Sequence, residues 1–520
     1  MSTRTIQRIQ EELPELPFIG PFGGIQSELP MNLIEQFGFS ECLNVILRKA
    51  SASIRPGNSA VDNLVSPPVG FADFYDKDSN RHSVAFLRDA LYELAYPNWN
   101  LIGGVLSGTD SDLMAWSVVN NKLLFSQGID VVKSWDGVAG AFADVSPDAV
   151  PAKFLLELAT HLLALNTFEG GTFKTQRVRY TAAGDPTDWT GFNAGAVDIL
   201  NDLGPINGAA KVQENGYAFH PNGLTRIIPT GIGLRPFDFV PFNDKTRGCF
   251  FPRSIASFGD QGAAYVARND VFLLTPSSFQ SLGAQPIDDG RKQVGARSRI
   301  VAELLNADPT QVYGFASQAI GGEYFQAYWL VIPGGSVWVY NLDEQNWTRF
   351  RYPKQPKVIG RLQTGHGIRW MDLIGSWADQ TVEWKDFSST TFFDTLAVGF
   401  TDGSVGIPEF ASKCESAYTI ASGSLSMGDR RHTKTLERFR IGYQDGEDCT
   451  FQVVFTNEKG QQDVQNAQIV GGGTGKDMVI IVTTKLNGLY LQWQVVGGPD
   501  AKQSFTEFTP IYVVGGEYKR

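Results

Sequence analysis

One short pattern recurs along this chain and constrains its fold more than any other. An apolar, β-prone run is followed by a turn rich in Gly, Asn or Asp, and then by a tryptophan beside a small polar residue. It reads Ser134-Trp135-Asp136-Gly137 after KLLFSQGIDVVK, Asp188-Trp189-Thr190 after RVRYTAAGDPT, and Asn346-Trp347-Thr348 after SVWVYNLDEQ. A tryptophan where a hairpin strand ends covers the apolar edge of one small sheet and packs against the next, which is how radially repeated sheets seal their seams.

The rest of the chain agrees with many short strands. Its 55 glycines and 26 prolines are spread along 520 residues, as expected when each strand needs its own turn. From Val69 to Pro408 the text alternates short strand, turn, short strand. Asn120-Asn121, Asn215-Gly216 and Asn222-Gly223 are turn signals that tolerate the left-handed backbone of a tight hairpin. The nearly continuous apolar run KFLLELATHLLALNTFEGG fits two buried strands, with a helix as the rival. Counting strand pairs gives six or seven blade-sized units of roughly 40 to 60 residues, the spacing of a β-propeller with inserted loops.

Three domains follow. Residues 1–65 read as an N-terminal arm and lead-in strands, with Ile6, Ile9 and Leu13 forming one weak apolar face before Pro14 and Pro17. Residues 66–410 read as the propeller. Residues 411–520 carry longer alternating strands joined by Asp-Gly, Lys-Gly and Asn-Gly turns, the pattern of a C-terminal antiparallel β-sandwich-like domain. The expected class is therefore all-β. No apolar run is long enough to span a bilayer as a helix, and the polar N-terminus shows no secretory pattern. Cys42, Cys249, Cys414 and Cys449 are too few and too dispersed to staple a chain of this size and read as buried small side chains.

Chemistry-bearing motifs are scarce. The five histidines, His82, His161, His220, His366 and His432, are never at metal-ligand spacing, and neither HExxH nor G-x-S-x-G occurs. GGGTGKDM, Gly471 to Met478, has Val470 where a phosphate loop needs glycine and Asp477 where it needs a hydroxyl, so it reads as a hairpin turn. The stretch Asn341 to Trp347 is a poor echo of a sialidase Asp-box. No catalytic residue, cofactor or metal is expected. Asp185 and Asp188 are expected to cap the turn through backbone amides and Trp135, Trp189 and Trp347 to pack seams, with Asp136 part of the same structural blade signature.

Net charge is −11, which argues against a protein that wraps nucleic acid over its whole surface. Basic residues nevertheless cluster. Arg430, Arg431, Lys434, Arg438 and Arg440 form one group; Arg291, Lys292, Arg297 and Arg299 a second; Arg351, Lys354, Lys357 and Arg361 a third. The first two lack interleaved aromatics for base stacking, so solvated loops or surfaces for acidic partners are the simpler reading, and contact with DNA phosphates the sharper one.

IRPG at Ile54 to Gly57, FSQGIDVVKSWDG at Phe125 to Gly137 and VRYTAAGDPTDWTGFNAGAVDIL at Val178 to Leu200 resemble the propeller proteins of short-tailed bacteriophages, called tail nozzle, tail tube or packaged-DNA stabilisation proteins. The run containing Arg179, Tyr180, Thr181, Gly184, Asp185, Pro186, Asp188 and Trp189 is its most specific part. ARNDVFLL at Ala267 to Leu274 matches less well, with Asn269 in place of a glycine. The resemblance spans residues 18–410. It implies a structural virion protein, not an enzyme: a homohexamer below the adaptor and portal rings, with a needle or plug and tail fibres as further partners. Such a ring retains packaged DNA and later conducts it, touching it only in transit. An acidic passage along the axis of the petals would repel phosphates over about 8 Å at physiological salt and let DNA slide. Outside that resemblance, a glycan-binding or carbohydrate-active propeller with a central funnel, or a monomeric scaffold, would use the same sheets.

Overall fold

A computed structural model describes residues 13–517 except 21, 35–36, 49, 110–111, 113, 243, 245, 288–291, 321–322, 365–392, 410–411, 428–430, 445–447 and 470–477. The chain divides into two units. One runs from Pro56 to Ser412; the other joins the residues through Arg55 to those from Lys413 onward.

The central unit contains seven blades of four antiparallel strands among the described residues, six of them separate four-stranded sheets. Blade 1 is Gly70–Tyr75, Arg81–Phe86, Leu91–Ala95 and Asn98–Ile102. Blade 2 is Ala115–Val119, Lys122–Ser126, Lys133–Trp135 and Ala143–Asp144. Blade 3 is Ala152–Leu158, His161–Glu169, Thr172–Tyr180 and Gly195–Asp198. Blade 4 is Gly208–Val212, Asn215–His220, Gly223–Ile232 and Arg235–Phe242. Blade 5 is Ala256–Ser257, Ala263–Val266, Val271–Leu274 and Phe279–Ser281. Blade 6 is Tyr313–Ile320, Glu323–Val331, Val337–Asn341 and Asn346–Phe350. Blade 7 is Pro356–Thr364, Phe393–Phe400 and Val405–Glu409, and its fourth strand is Gly57–Ala60 from the other end of the chain. The fold is a β-propeller closed by a strand that precedes blade 1.

Local chemistry explains why these runs are strands. The ambiguous run of blade 3 forms two of them because Ala159 and Thr160, with φ of 48° and 65°, turn the chain back, and the apolar residues on either side face two neighbouring sheets. Asn120 and Asn121 (φ 49° and 58°) make the expected hairpin turn of blade 2. The Asn215-Gly216 expectation shifts by two residues: Gln213 and Glu214 form the turn, and Asn215 already pairs with Val212.

The other unit is a sandwich built from both ends of the chain. One sheet runs Val45–Arg48, Ser51–Ile54, Ser504–Glu517, His432–Gln444 and Met478–Gly488, with Phe18–Ile19 also paired to Ser504–Glu517. The second contains Phe39–Leu43, Tyr418–Ser422, Leu491–Gly497, Cys449–Asn457 and Gln462–Ile469. Trp493 joins the two layers, with ring centres 4.8 Å from Phe508 and 5.2 Å from Phe439. The lead-in segment expected over residues 1–65 is therefore divided: its described part up to Arg55 belongs to the sandwich, and Gly57–Ala60 belongs to blade 7. Residues 1–12 of the expected arm lie outside the described residues. Buried Arg55 contacts Glu415 at 2.9 Å and Asn44 Nδ2 donates to the Ala417 carbonyl, so the outgoing and returning chain are clasped together inside the sandwich.

Candidate functional site: seams, turn carboxylates and hub

The three signature tryptophans all lie at blade seams. Trp135 ends the third strand of blade 2 and packs into a core with Phe74, Val84, Phe86 and Leu91 of blade 1, while its Nε1 donates to the Ala139 carbonyl at 2.7 Å. Trp189, in the loop before the last strand of blade 3, sits among Val119, Leu124 and Val132 of blade 2 and Ala152, Leu155 and Leu162 of its own blade. Trp347, in the last strand of blade 6, donates Nε1 to the Leu282 carbonyl at 2.6 Å, just past blade 5. Each reaches back to the preceding blade, so each is buried in a contact between blades and presents no face to a ligand.

The signature aspartates organise turns. Asp136 Oδ1 accepts the Val138 and Ala139 amides at 3.0 and 2.9 Å, and these bonds pull its carboxyl below the usual range. Asp188 Oδ1 accepts from Thr190 and Gly191 at 3.1 and 2.7 Å. Asp185 accepts the Thr187 hydroxyl at 2.6 Å and its amide at 2.9 Å, which likewise lowers its pKa. This last arrangement is a repeated device that the sequence reading missed. Asp244-Lys-Thr246, Asp308-Pro-Thr310 and Asp402-Gly-Ser404 make the same pair of bonds, amide at 2.9–3.0 Å and hydroxyl at 2.5–2.9 Å. The detectable signal is Asp-x-Thr/Ser between strands, where the carboxylate imitates the next backbone turn.

His82 is the one buried histidine held between two carboxylates among the described residues. Nδ1 lies 2.6 Å from Glu93 Oε1 and Nε2 3.4 Å from Asp76 Oδ2, while the ring stacks on Phe74 and meets Trp135 edge-on at 5.3 Å. Burial disfavours the imidazolium, but the bonds and charges of Glu93 and Asp76 outweigh it and raise its pKa. Asp76 is held down at about 2, chiefly by the Asn80 side chain and then by backbone amides and His82. A raised imidazolium pKa stabilises the fold fully below the unfolded value of about 6.5, and that stabilisation is lost as pH rises through the folded value. A lowered carboxyl acts oppositely, stabilising above about 3.9 and failing as pH falls towards about 2. Thermal melting of His82→Asn against the parent should therefore show a deficit at pH 6 that shrinks above neutrality. A deficit constant from pH 5 to pH 9 contradicts this account.

At the centre, the first strands of successive blades meet around one cavity of about 170 Å³. Its wall includes Val69, Trp116, Phe154, Gly208, Arg253 and Tyr313, drawn from or just before the first strands of blades 1 to 6. Glycine is needed here for close approach: a Cβ on Gly314 would lie 2.2 Å from the Ser254 carbonyl oxygen. Arg253, leading into blade 5, bonds the Asp112 carbonyl, which leads into blade 2, so a guanidinium crosses the hub. The charged side chains lining it, Lys153 and Arg253, are basic. No carboxylate is among the residues lining this cavity, so its wall does not carry the acidic character expected of an axial passage.

The basic clusters are variously committed. Arg291 and Arg430 lie outside the described residues, and Lys292 opens the strand Lys292–Gly295. Arg297 and Arg299 belong to a helix, Arg297–Leu304, inserted between blades 5 and 6, where loops were expected. Arg297 bonds Gln293 at 2.6 Å, and Arg299 lies 5.8 Å from the Trp338 ring centre. In the strand His432–Gln444, Lys434 is buried and Arg440 contacts Glu507 and Glu15 at 2.7 and 3.1 Å, whereas Arg431 and Arg438 are exposed. Lys354 pairs with Asp402 at 2.7 Å, beside exposed Arg351, while Lys357 and Arg361 are half-buried in the first strand of blade 7. Among the described residues no cluster of three His, Cys, Asp or Glu side chains is arranged to hold a metal ion, and no helix is long and apolar enough to cross a membrane. Gly471 to Asp477 of the glycine-rich turn lie outside the described residues.

No protein-family model matches the chain, and no curated protein sequence matches it. Similar solved structures include BBS1N in complex with ARL6DN, at 10% identity over 68% of this chain and 97% of that one, with a TM-score of 0.40. YCF48 bound to D1 peptide is similar at 9% identity over 68% and 97%, TM-score 0.38, and BamB from Moraxella catarrhalis at 11% over 71% and 94%, TM-score 0.35. Likenesses this distant carry no argument about function, and the fold stands on the chain's own strand pairing.

Proposed function

We propose that the chain is a structural subunit of a ring, a homohexameric tail nozzle of the short-tailed phage kind, and that the ring retains packaged DNA and conducts it during ejection. The narrow hub carries this reading. A cavity of about 170 Å³ is smaller than the roughly 300–1,000 Å³ of ligand sites, so a glycan held in a central funnel is poorly supported. It is also too small for a nucleic acid, so any passage lies between copies and not along the axis of one. A net charge of −11 per chain suits such a shared wall, which DNA slides past without sticking. The subunit performs no reaction in this reading. Its partners are other copies of itself, the adaptor, a needle or plug, and tail fibres, in the virion tail.

Electron microscopy and mass photometry of the purified protein, alone and with the adaptor of its own tail, test this. A six-membered ring with an open centre is expected. A stable monomer at every concentration, with the adaptor present, overturns it, and saturable glycan binding would promote the funnel alternative.

A further inference from the structure

Blades 3 and 4 together present an apolar knob. The hairpin Gly223–Ile232/Arg235–Phe242 turns at Gly233, and its tip exposes Ile232 (60%) and Leu234 (80%). Phe192, 78% exposed on the loop before the last strand of blade 3, touches that tip: a Cβ on Gly233 would lie 2.8 Å from its ring. Three large apolar side chains open to water at one hairpin tip and the loop beside it are uncommon on a surface that stays free. The flanks of the knob are acidic. Asp185 and Asp188 hold the Phe192 loop by accepting the amides of Thr187 and Gly191, and the charge of Arg235 is balanced by Asp238 at 2.7 Å. Pro236 and Pro241 in the outer strand remove backbone donors, so contact there proceeds through side chains and not by adding a strand.

The sandwich carries a surface of opposite character. Met478–Gly488 ends its sheet, and its outward residues include Val479 (53% exposed) and Ile481 (56% exposed). Beside them, Arg438 pairs across the ladder with Thr483, and exposed Lys485 continues the row. Val513, paired with Thr435 on the far side of His432–Gln444, adds a further exposed apolar side chain. This face is apolar with basic flanks in a chain that is acidic overall.

We propose that the knob of Phe192, Ile232 and Leu234 on one copy docks on the outward sheet face of Val479, Ile481 and Arg438 on the next. A second copy is the occupant that the charges favour, because each chain brings both halves of an apolar contact with opposite flanking charge. The two patches differ, so the contact is heterologous, and such contacts close into rings when the rotation permits. The inference rests on the ring reading above.

The test uses full-length protein under the conditions that give rings. Copies carrying Leu234→Cys are mixed with copies carrying Ile481→Cys and oxidised; the native cysteines are buried or half-buried and give a low background. A disulfide-linked dimer formed only in the mixture is expected. Ile232→Ser with Leu234→Ser should weaken association on the order of 100-fold while leaving the melting midpoint of the subunit unchanged, since both side chains are already in water. Rings that form without the crosslink and survive the double serine substitution overturn this surface but leave the ring reading intact. A monomer under all conditions overturns both.

Discussion

Trp347→Ala will destabilise the propeller by about 3–5 kcal/mol, the range for removing a large buried aromatic side chain from a core. The side chain is 2% exposed, and it pairs across the ladder with Tyr340, whose ring centre is 5.0 Å away, and meets Trp338 edge-on at 6.3 Å. Truncation leaves a cavity on the last strand of blade 6 and strips the Leu282 carbonyl of its 2.6 Å bond. Trp347→Phe separates these effects. It keeps most of the volume and loses only the indole donor, so a cost of about 1–3 kcal/mol from the unsatisfied carbonyl is expected. Because a chain of two units need not unfold in one step, the measurement is hydrogen exchange resolved by strand, with the thermal midpoint beside it. Faster exchange in the last strands of blades 5 and 6 is the expected signature. Unchanged exchange there in the alanine variant refutes the seam role.

The features that could be read from sequence were those encoded within a few residues. Trp135, Trp189 and Trp347 announce themselves because a tryptophan next to a hairpin turn has few stable places except against the neighbouring sheet. Asn120-Asn121 does so because few residues tolerate a positive φ twice in succession. Distant pairings leave no such mark. Nothing near Phe39 indicates that it joins Ser422, and nothing near Phe18 indicates Phe508, so the sandwich looked like a C-terminal domain with a separate lead-in. The helix Arg297–Leu304 was obscured by its own charges, with three of eight positions basic or acidic on a face whose apolar anchors are only Ile300 and Leu304. Net charge is a property of the whole surface, while the axis is lined by whichever residues begin the first strands, so the composition alone could not place charge at the hub.

The strand Gly57–Ala60 is the most consequential of these distant pairings. It is four residues long, yet it completes blade 7 by pairing Gly57, Asn58, Ser59 and Ala60 with Glu409, Pro408, Ile407 and Gly406, and Ser59 Oγ donates to Glu409 at 2.5 Å. Val61 N donates to the Val405 carbonyl at 3.1 Å, so the alternation of an antiparallel ladder directs the Ser59 amide at Ile407. Ser59→Pro removes that donor inside the closing strand. The lost ladder bond contributes about 1 kcal/mol, the stranded Ile407 carbonyl about 1–3, and the hydroxyl bond to the Glu409 carboxylate about 1.5–3, giving roughly 3–5 kcal/mol after allowing for non-additivity. Ser59→Ala, which keeps the amide and loses only the hydroxyl, should cost less than half as much. The larger consequence is topological: with the seal open, Val405–Glu409 becomes an unprotected edge, which invites pairing with other chains. Limited proteolysis should then cut first between Arg55 and Leu64, and the proline variant should aggregate at temperatures where the alanine variant remains dispersed. A proline variant that melts and resists protease like its parent would mean that blade 7 holds with three strands and that closure by Gly57–Ala60 contributes little to the integrity of the ring of blades.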